Sequence, residues 1–189
     1  MHIVLISGTN RAGSTTLKVT QRLEQRYKAA GVETTLLDLQ ELPAEVLTPG
    51  AYDERPDGWA PFAEAVLAAD GLVVVTPEYN GSFPGALKLF IDMLPFPKAF
   101  DHRPVAFVGL ASGRWGGLRP VEHLQGVFGY RNAFVFPERV FLPSVGDALD
   151  PETLDPTHPF TAQLLTEQIS GFIAFCRAVA PMAANARHA

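Results

Sequence analysis

The run Ile3-Val4-Leu5-Ile6 begins a pattern that repeats along the chain: a short unbroken apolar run, then a stretch with apolar residues at helical spacing. Apolar runs without polar alternation mark strands covered on both faces, the condition of a parallel sheet between two layers of helices. Thr34 to Leu39, Gly71 to Thr76 and Val105 to Ala111 repeat the strand signal. A last strand region holds Ala133 to Phe136 and Val140 to Leu142, split by Pro137. Between these runs the spacing predicts helices over Thr15 to Ala30, Trp59 to Ala69, Pro84 to Leu94 and Leu118 to Gly129, and a closing helix over Phe160 to Ala180. The first of these should bury Leu17, Leu23, Tyr27 and Ala30, and Pro84 should be the first helical residue of the third. Leu42 to Asp57 and Pro143 to Pro159 read as long loops, the first with one helical turn, and the Ala-rich tail should fray. Strands alternating with helices imply an open α/β sheet in a single domain over residues 1–189. Ligands of such sheets sit beyond the carboxyl ends of the strands, so the informative loops follow strands one, three and four.

Composition narrows the function classes. The 189 residues suffice to bury a core without disulfides or metals. Fifteen basic against twenty acidic residues give a net charge of -5, which argues against nucleic-acid binding. One cysteine makes no intrachain disulfide. No stretch is long and apolar enough to serve as a signal peptide or membrane span, so a cytoplasmic protein without membrane insertion is expected.

The loop after strand one, Ser7 to Thr16, holds five hydroxyl side chains, two glycines and Arg11 in ten residues. N–H groups at a helix start favour an anion, hydroxyls add donors, and a guanidinium fork matches phosphate. Gly8 and Gly13 have P-loop spacing, but Ser14 stands where the lysine of a triphosphate site would be. Strand three ends in Thr76 rather than an acidic magnesium ligand, and the dinucleotide GxGxxG pattern is absent. Thr9, Arg11, Ser14, Thr15 and Thr16 therefore suit one terminal phosphate, such as that of FMN.

Strand three runs into Pro77-Glu78-Tyr79-Asn80-Gly81-Ser82-Phe83-Pro84-Gly85-Ala86-Leu87-Lys88. This run resembles the PEYN-x-S-x-PG-x-LK segment of the NAD(P)H-dependent FMN reductases, a family that includes quinone, azo-dye and chromate reductases. The upstream loop is similar to that family's GSxRxxSxN motif at Gly8, Arg11 and Ser14. The resemblance extends from strand one to about Asp147. It implies that Pro77, Glu78, Tyr79 and Asn80 line the flavin, with Gly81 and Ser82 beside it. Tyr79 offers an aromatic wall, and Asn80 and Gly81 accept unusual backbone angles.

After strand four, Ala111-Ser112-Gly113-Arg114-Trp115-Gly116-Gly117 resembles the family loop over the pyrimidine side of the flavin. Ser112 and Gly113 are carried over as ring contacts, and Gly116 as one of the paired glycines. Apart from the resemblance, Arg114 reads either as a partner for a phosphate of the nicotinamide cofactor or as a solvated loop arginine. Leu89 and Met93 depart from the family's Asn and Trp in a helix that contributes to its dimer contact.

Other residues carry less. Cys176 reads as a small core residue, the five histidines lack metal-ligand spacing, and Asp53, Glu54 and Asp57 form an acidic loop. No acid–base or nucleophilic constellation stands out, so no catalytic side chain is assigned.

The resemblance thus implies a flavodoxin-like doubly wound α/β fold with a five-stranded parallel sheet in the order 2-1-3-4-5. It implies a homodimeric or homotetrameric oxidoreductase in which FMN relays hydride from NADPH or NADH to a small-molecule electron acceptor: a quinone, flavin, azo dye or similar compound. Two alternatives differ in class. One is a flavodoxin-type electron carrier with FMN and no direct NAD(P)H activity. The other is a nucleotide-binding regulator with a degenerate P-loop.

Overall fold

The computed structural model describes residues 1–187, with side chains through Ala183. The chain runs β1 (His2–Ser7), α1 (Thr15–Ala29), β2 (Glu33–Asp38), three 3-10 turns between Leu39 and Tyr52, α2 (Ala60–Ala68), β3 (Gly71–Pro77) and α3 (Gly85–Met93). It continues through β4 (Pro104–Leu110), α4 (Leu118–Tyr130), β5 (Phe134–Val135), β6 (Val140–Leu142) and α5 (Pro159–Arg187). The sheet is parallel throughout, in the order β2-β1-β3-β4-β5, with β6 also paired to β4.

Register alternation sends successive side chains to opposite faces. Val4, Ile6, Leu72, Val74, Val105 and Phe107 meet α2, α3 and α4 on one face. Ile3, Leu5, Val73, Val75, Ala106 and Val108 meet α1 and α5 on the other. β1 and β3 are buried on both faces, which explains their unbroken apolar runs.

The edge strand is in two pieces, interrupted at Pro137. β5 pairs with Pro104 and Val105, and β6 with Val108 to Leu110. The side chain of Gln168 fills the gap, donating to the carbonyls of Phe107 and Glu138 at 2.9 Å each. Gln168 is 1% exposed, so these bonds keep backbone groups from being buried unsatisfied.

Several element ends differ from the periodicity. Pro84 is the N-cap of α3 rather than its first helical residue: its backbone is extended, with ψ 146°, and its carbonyl accepts from Leu87 and Lys88. The buried face of α1 is Thr16, Val19, Thr20, Leu23 and Tyr27. Thr20 fits there because its hydroxyl donates to the Thr16 carbonyl at 2.7 Å, while Leu17 is half-buried and Ala30 exposed. The loop from Leu42 to Asp57 makes two 3-10 turns rather than one helical turn, with Val46 and Ala51 as apolar anchors, and a further 3-10 turn, Leu39–Glu41, precedes it. α5 continues past Ala180 through Pro181 to Arg187, so the expected fraying does not begin at Ala180. Beyond Arg187 the expected tail, with His188, lies outside the described residues. Met93 is fully buried and Leu89 partly buried on the same core, so both positions pack within the subunit.

Candidate functional site

In a sheet of this order, successive connections leave β1 in opposite directions toward β2 and β3, and a crevice opens between the carboxyl ends of β1 and β3. A cavity of about 260 Å³ lies there, walled by the loops after β1, β3 and β4.

The first wall is the start of α1. Arg11, Ser14, Thr15 and Thr16 line it, joined by Ala12 and Gly13. Ser14 caps the helix, its Oγ accepting from the Leu17 N–H at 3.1 Å. No acidic residue occupies the first turn, so the positive end of the helix dipole is not neutralised. Gly8 lets this loop leave the sheet: its N–H donates to the Val75 carbonyl at 2.8 Å, and a Cβ there would lie 2.7 Å from that oxygen.

Thr9 is placed differently from its neighbours. It is fully buried, with its hydroxyl 3.0 Å from the Tyr79 hydroxyl and accepting from the Arg11 N–H at 3.2 Å. It holds the two loops together from behind and does not line the cavity.

The second wall is Pro77, Glu78 and Tyr79. Tyr79 and Ser82 exchange backbone hydrogen bonds of 2.8 and 3.0 Å. Between them Asn80 and Gly81 have φ of 51° and 77°, as a two-residue type I′ turn requires. Asn80 and Gly81 thus form the turn, outside the cavity lining. Ser82 faces α4, its Oγ 2.9 Å from His123 Nδ1. The Glu78 N–H donates to the Leu110 carbonyl at 3.1 Å. Its Oε1 lies 3.3 Å from Arg119, while its Oε2 is buried without a hydrogen-bond partner.

The third wall is Leu110, Ala111 and Ser112, with Val145. Gly113, Arg114 and Trp115 are the exposed tip of this loop, and Gly116 lies buried at its base. Leu110, Ala111 and Val145 carry no motif. Val145 arrives because its N–H donates to the Ala111 carbonyl at 3.0 Å, a contact without a local sequence signal. Ala12 and Gly13 lie between expected site residues, and adjacency alone could have found them.

Cys176 is far from these loops in role and chemistry. It packs under β3, where a Cβ on Gly71 would lie 2.6 Å from its sulfur. Burial pushes its thiol up to about 12, and the negative charge of Asp70 adds to the shift. Among the described residues no group of three His, Cys, Asp or Glu could hold a metal, and no helix is long and apolar enough to cross a membrane.

The model of the NADPH-dependent FMN reductases matches residues 1–147, the segment that holds all three walls. The chain belongs to that family. It is 30% identical over 182 residues to the quinone reductase of Escherichia coli K12, covering 95% of this chain and 97% of that one. It is 34% identical to the NADPH azoreductase of a Bacillus species, covering 75% and 76%. Its fold matches the flavoenzyme NAD(P)H:(acceptor) oxidoreductase of Paracoccus denitrificans with a TM-score of 0.76 at 20% identity, over 94% and 97% of the two chains. The fold is therefore flavodoxin-like, and the protein is an enzyme of the FMN reductase type.

The residues present fit FMN. The start of α1 with Arg11 has the N–H groups and the guanidinium that a phosphate would need. The unpartnered Glu78 Oε2 is an acceptor beside the cavity, and a flavin ring brings an N–H donor. A carboxylate oxygen left buried and unpaired is costly, so a donor from a ligand would be stabilising.

Proposed function

We propose that this chain holds FMN across the crevice between β1 and β3 and passes electrons from NADPH or NADH to a small-molecule acceptor, with quinones as the principal class. The observation that carries this reading is the convergence of an anion-binding helix start and an aromatic turn on one cavity. A phosphate cradle alone would suit many ligands. A cradle facing Tyr79 and the open acceptor Glu78 Oε2 suits a flat, polar-edged ring ending in one phosphate.

Each group of this chain has a separate task. The N–H groups at the start of α1 and the Arg11 fork hold the phosphate. Ser14, Thr15 and Thr16 supply hydroxyls to the same end. Tyr79, braced by Thr9, sets the position of the ring, and Glu78 reads its polar edge. Ser112 closes the opposite rim. Bound there, FMN supplies the hydride chemistry that no side chain of the site can supply. No residue is assigned as a catalytic acid, base or nucleophile.

One face of the bound ring would serve both substrates, so donor and acceptor take turns. Initial velocities of NADPH oxidation with 1,4-benzoquinone, without any partner protein, should give parallel double-reciprocal lines. Intersecting lines would contradict the shared position. Absence of turnover until a partner reductase is added would instead favour an electron carrier.

The same reading includes a homo-oligomer, dimer or tetramer, acting in the cytoplasm. The unpaired, buried Cys176 is compatible with a reducing compartment.

A further inference from the structure

The tip of the loop between β4 and α4 carries a pair of side chains that the cavity does not use. Trp115 is 49% exposed. The Arg114 guanidinium carbon lies 4.8 Å from the centre of its indole, and Arg114 has no carboxylate partner among the described residues. Arg22 and Arg26, by contrast, meet Asp155, and Arg119 meets Glu78.

The loop is tied down on both sides of this tip. The Ser144 N–H donates to the Gly113 carbonyl at 3.2 Å, and the Gly116 N–H to the same oxygen at 3.3 Å. A Cβ on Gly116 would lie 2.8 Å from the Pro143 nitrogen, and one on Gly117 2.6 Å from the Leu110 nitrogen. Backbone thus packs directly on backbone of β4 and the segment after β6. The exposed indole is presented from a fixed base, which reduces the ordering cost of binding something flat against it.

Position and size point to the occupant. Ser112 lines the cavity, and Trp115 follows three residues later, at most about 11 Å along the chain. The cavity of about 260 Å³ is smaller than the roughly 300–1,000 Å³ of sites that enclose a drug-sized ligand. It cannot enclose a flavin and a whole dinucleotide. A donor whose nicotinamide reaches the cavity must leave its adenosine half across the rim.

We infer that Trp115 and Arg114 form the adenosine subsite of the nicotinamide donor, the indole stacking on adenine and the guanidinium taking the 2′-phosphate of NADPH. The inference rests on the proposed use of a nicotinamide donor. A guanidinium that lies over an indole keeps its N–H edge available, and that edge is what pairs with phosphate. Aromatic rings stack on any base, whereas the Arg fork distinguishes NADPH from NADH. Trp115 therefore contributes to both donors and Arg114 to NADPH alone.

The test compares KM for NADPH and NADH, with one quinone, in the FMN-loaded wild type, Arg114→Ala, Arg114→Lys and Trp115→Ala. Arg114→Ala should raise KM for NADPH about tenfold and shift KM for NADH by less than about twofold. Inhibition by 2′,5′-ADP should weaken in parallel, and Arg114→Lys should fall between the two. Trp115→Ala should raise both KM values severalfold. Equal shifts for the two donors in Arg114→Ala, or none, would overturn the assignment. So would a Trp115→Ala variant that changes oligomeric state in sedimentation while both KM values hold. If neither dinucleotide reduces the wild-type flavin, it is the donor reading that fails, before the subsite is at issue.

Discussion

The Thr9 side-chain oxygen lies 3.0 Å from the Tyr79 hydroxyl, tying the loop after β1 to the turn after β3 across the switch point of the sheet. On the proposed reading this bond, beside the Gly8 N–H bond to the Val75 carbonyl, sets the phosphate end and the ring end of the site relative to one another. Thr9→Val or Tyr79→Phe should each weaken FMN binding by about 0.5–1.5 kcal/mol, the net worth of such a bond. Flavin fluorescence titrations measure this directly, and the double variant should lose little more than either single one because both remove the same contact.

Gly8 makes a sharper demand. A Cβ at this position would lie 2.7 Å from the Val75 carbonyl oxygen, so Gly8→Ala must displace backbone rather than a pliable side chain. The variant should lose most of its FMN affinity, and its melting temperature should fall by several degrees, corresponding to about 1–3 kcal/mol. Calorimetry with and without FMN separates the two effects.

The sheet was largely legible in the sequence because strands buried on both faces must be unbroken apolar runs, as Leu72 to Val75 are. The turn after β3 was legible because Asn80-Gly81 is the dipeptide that positive φ at two successive residues demands. The Thr9 contact to Tyr79 was not legible because a threonine in a phosphate-type loop looks the same whether its hydroxyl faces ligand or Tyr79. Val145 was missed because a backbone hydrogen bond to Ala111, not a side-chain pattern, brings it to the cavity. Gln168 gave no signal because its two partners are carbonyls distant in sequence, at Phe107 and Glu138.

That glutamine yields a stability prediction. Gln168→Leu is close in size but strips the buried Phe107 carbonyl, and the partly buried Glu138 carbonyl, of their donor. Each buried group left unsatisfied costs about 1–3 kcal/mol. The variant should be less stable by about 1–3 kcal/mol, seen in urea unfolding, with FMN affinity little changed because α5 does not line the cavity.

Cys176 should be dispensable for turnover. Its thiol, pushed up to about 12 by burial, is uncharged at neutral pH and is not a nucleophile there. Cys176→Ser should keep turnover within about twofold while losing about 1–3 kcal/mol of stability by burying a hydroxyl. A loss of more than about tenfold in turnover, in a folded variant with FMN bound, would mean that the thiol takes part.

In the proposed function the Ser/Thr/Arg loop at the start of α1 holds the FMN phosphate. The most direct measurement is a pair of titrations of the flavin-free protein, one with FMN and one with riboflavin, repeated on Arg11→Ala. FMN should bind at least about tenfold more tightly than riboflavin, and Arg11→Ala should weaken FMN binding by about 1.5–3 kcal/mol, as for a charge-assisted hydrogen bond, while leaving riboflavin unaffected. Equal affinity of the wild-type protein for the two flavins would mean that this loop does not bind the phosphate.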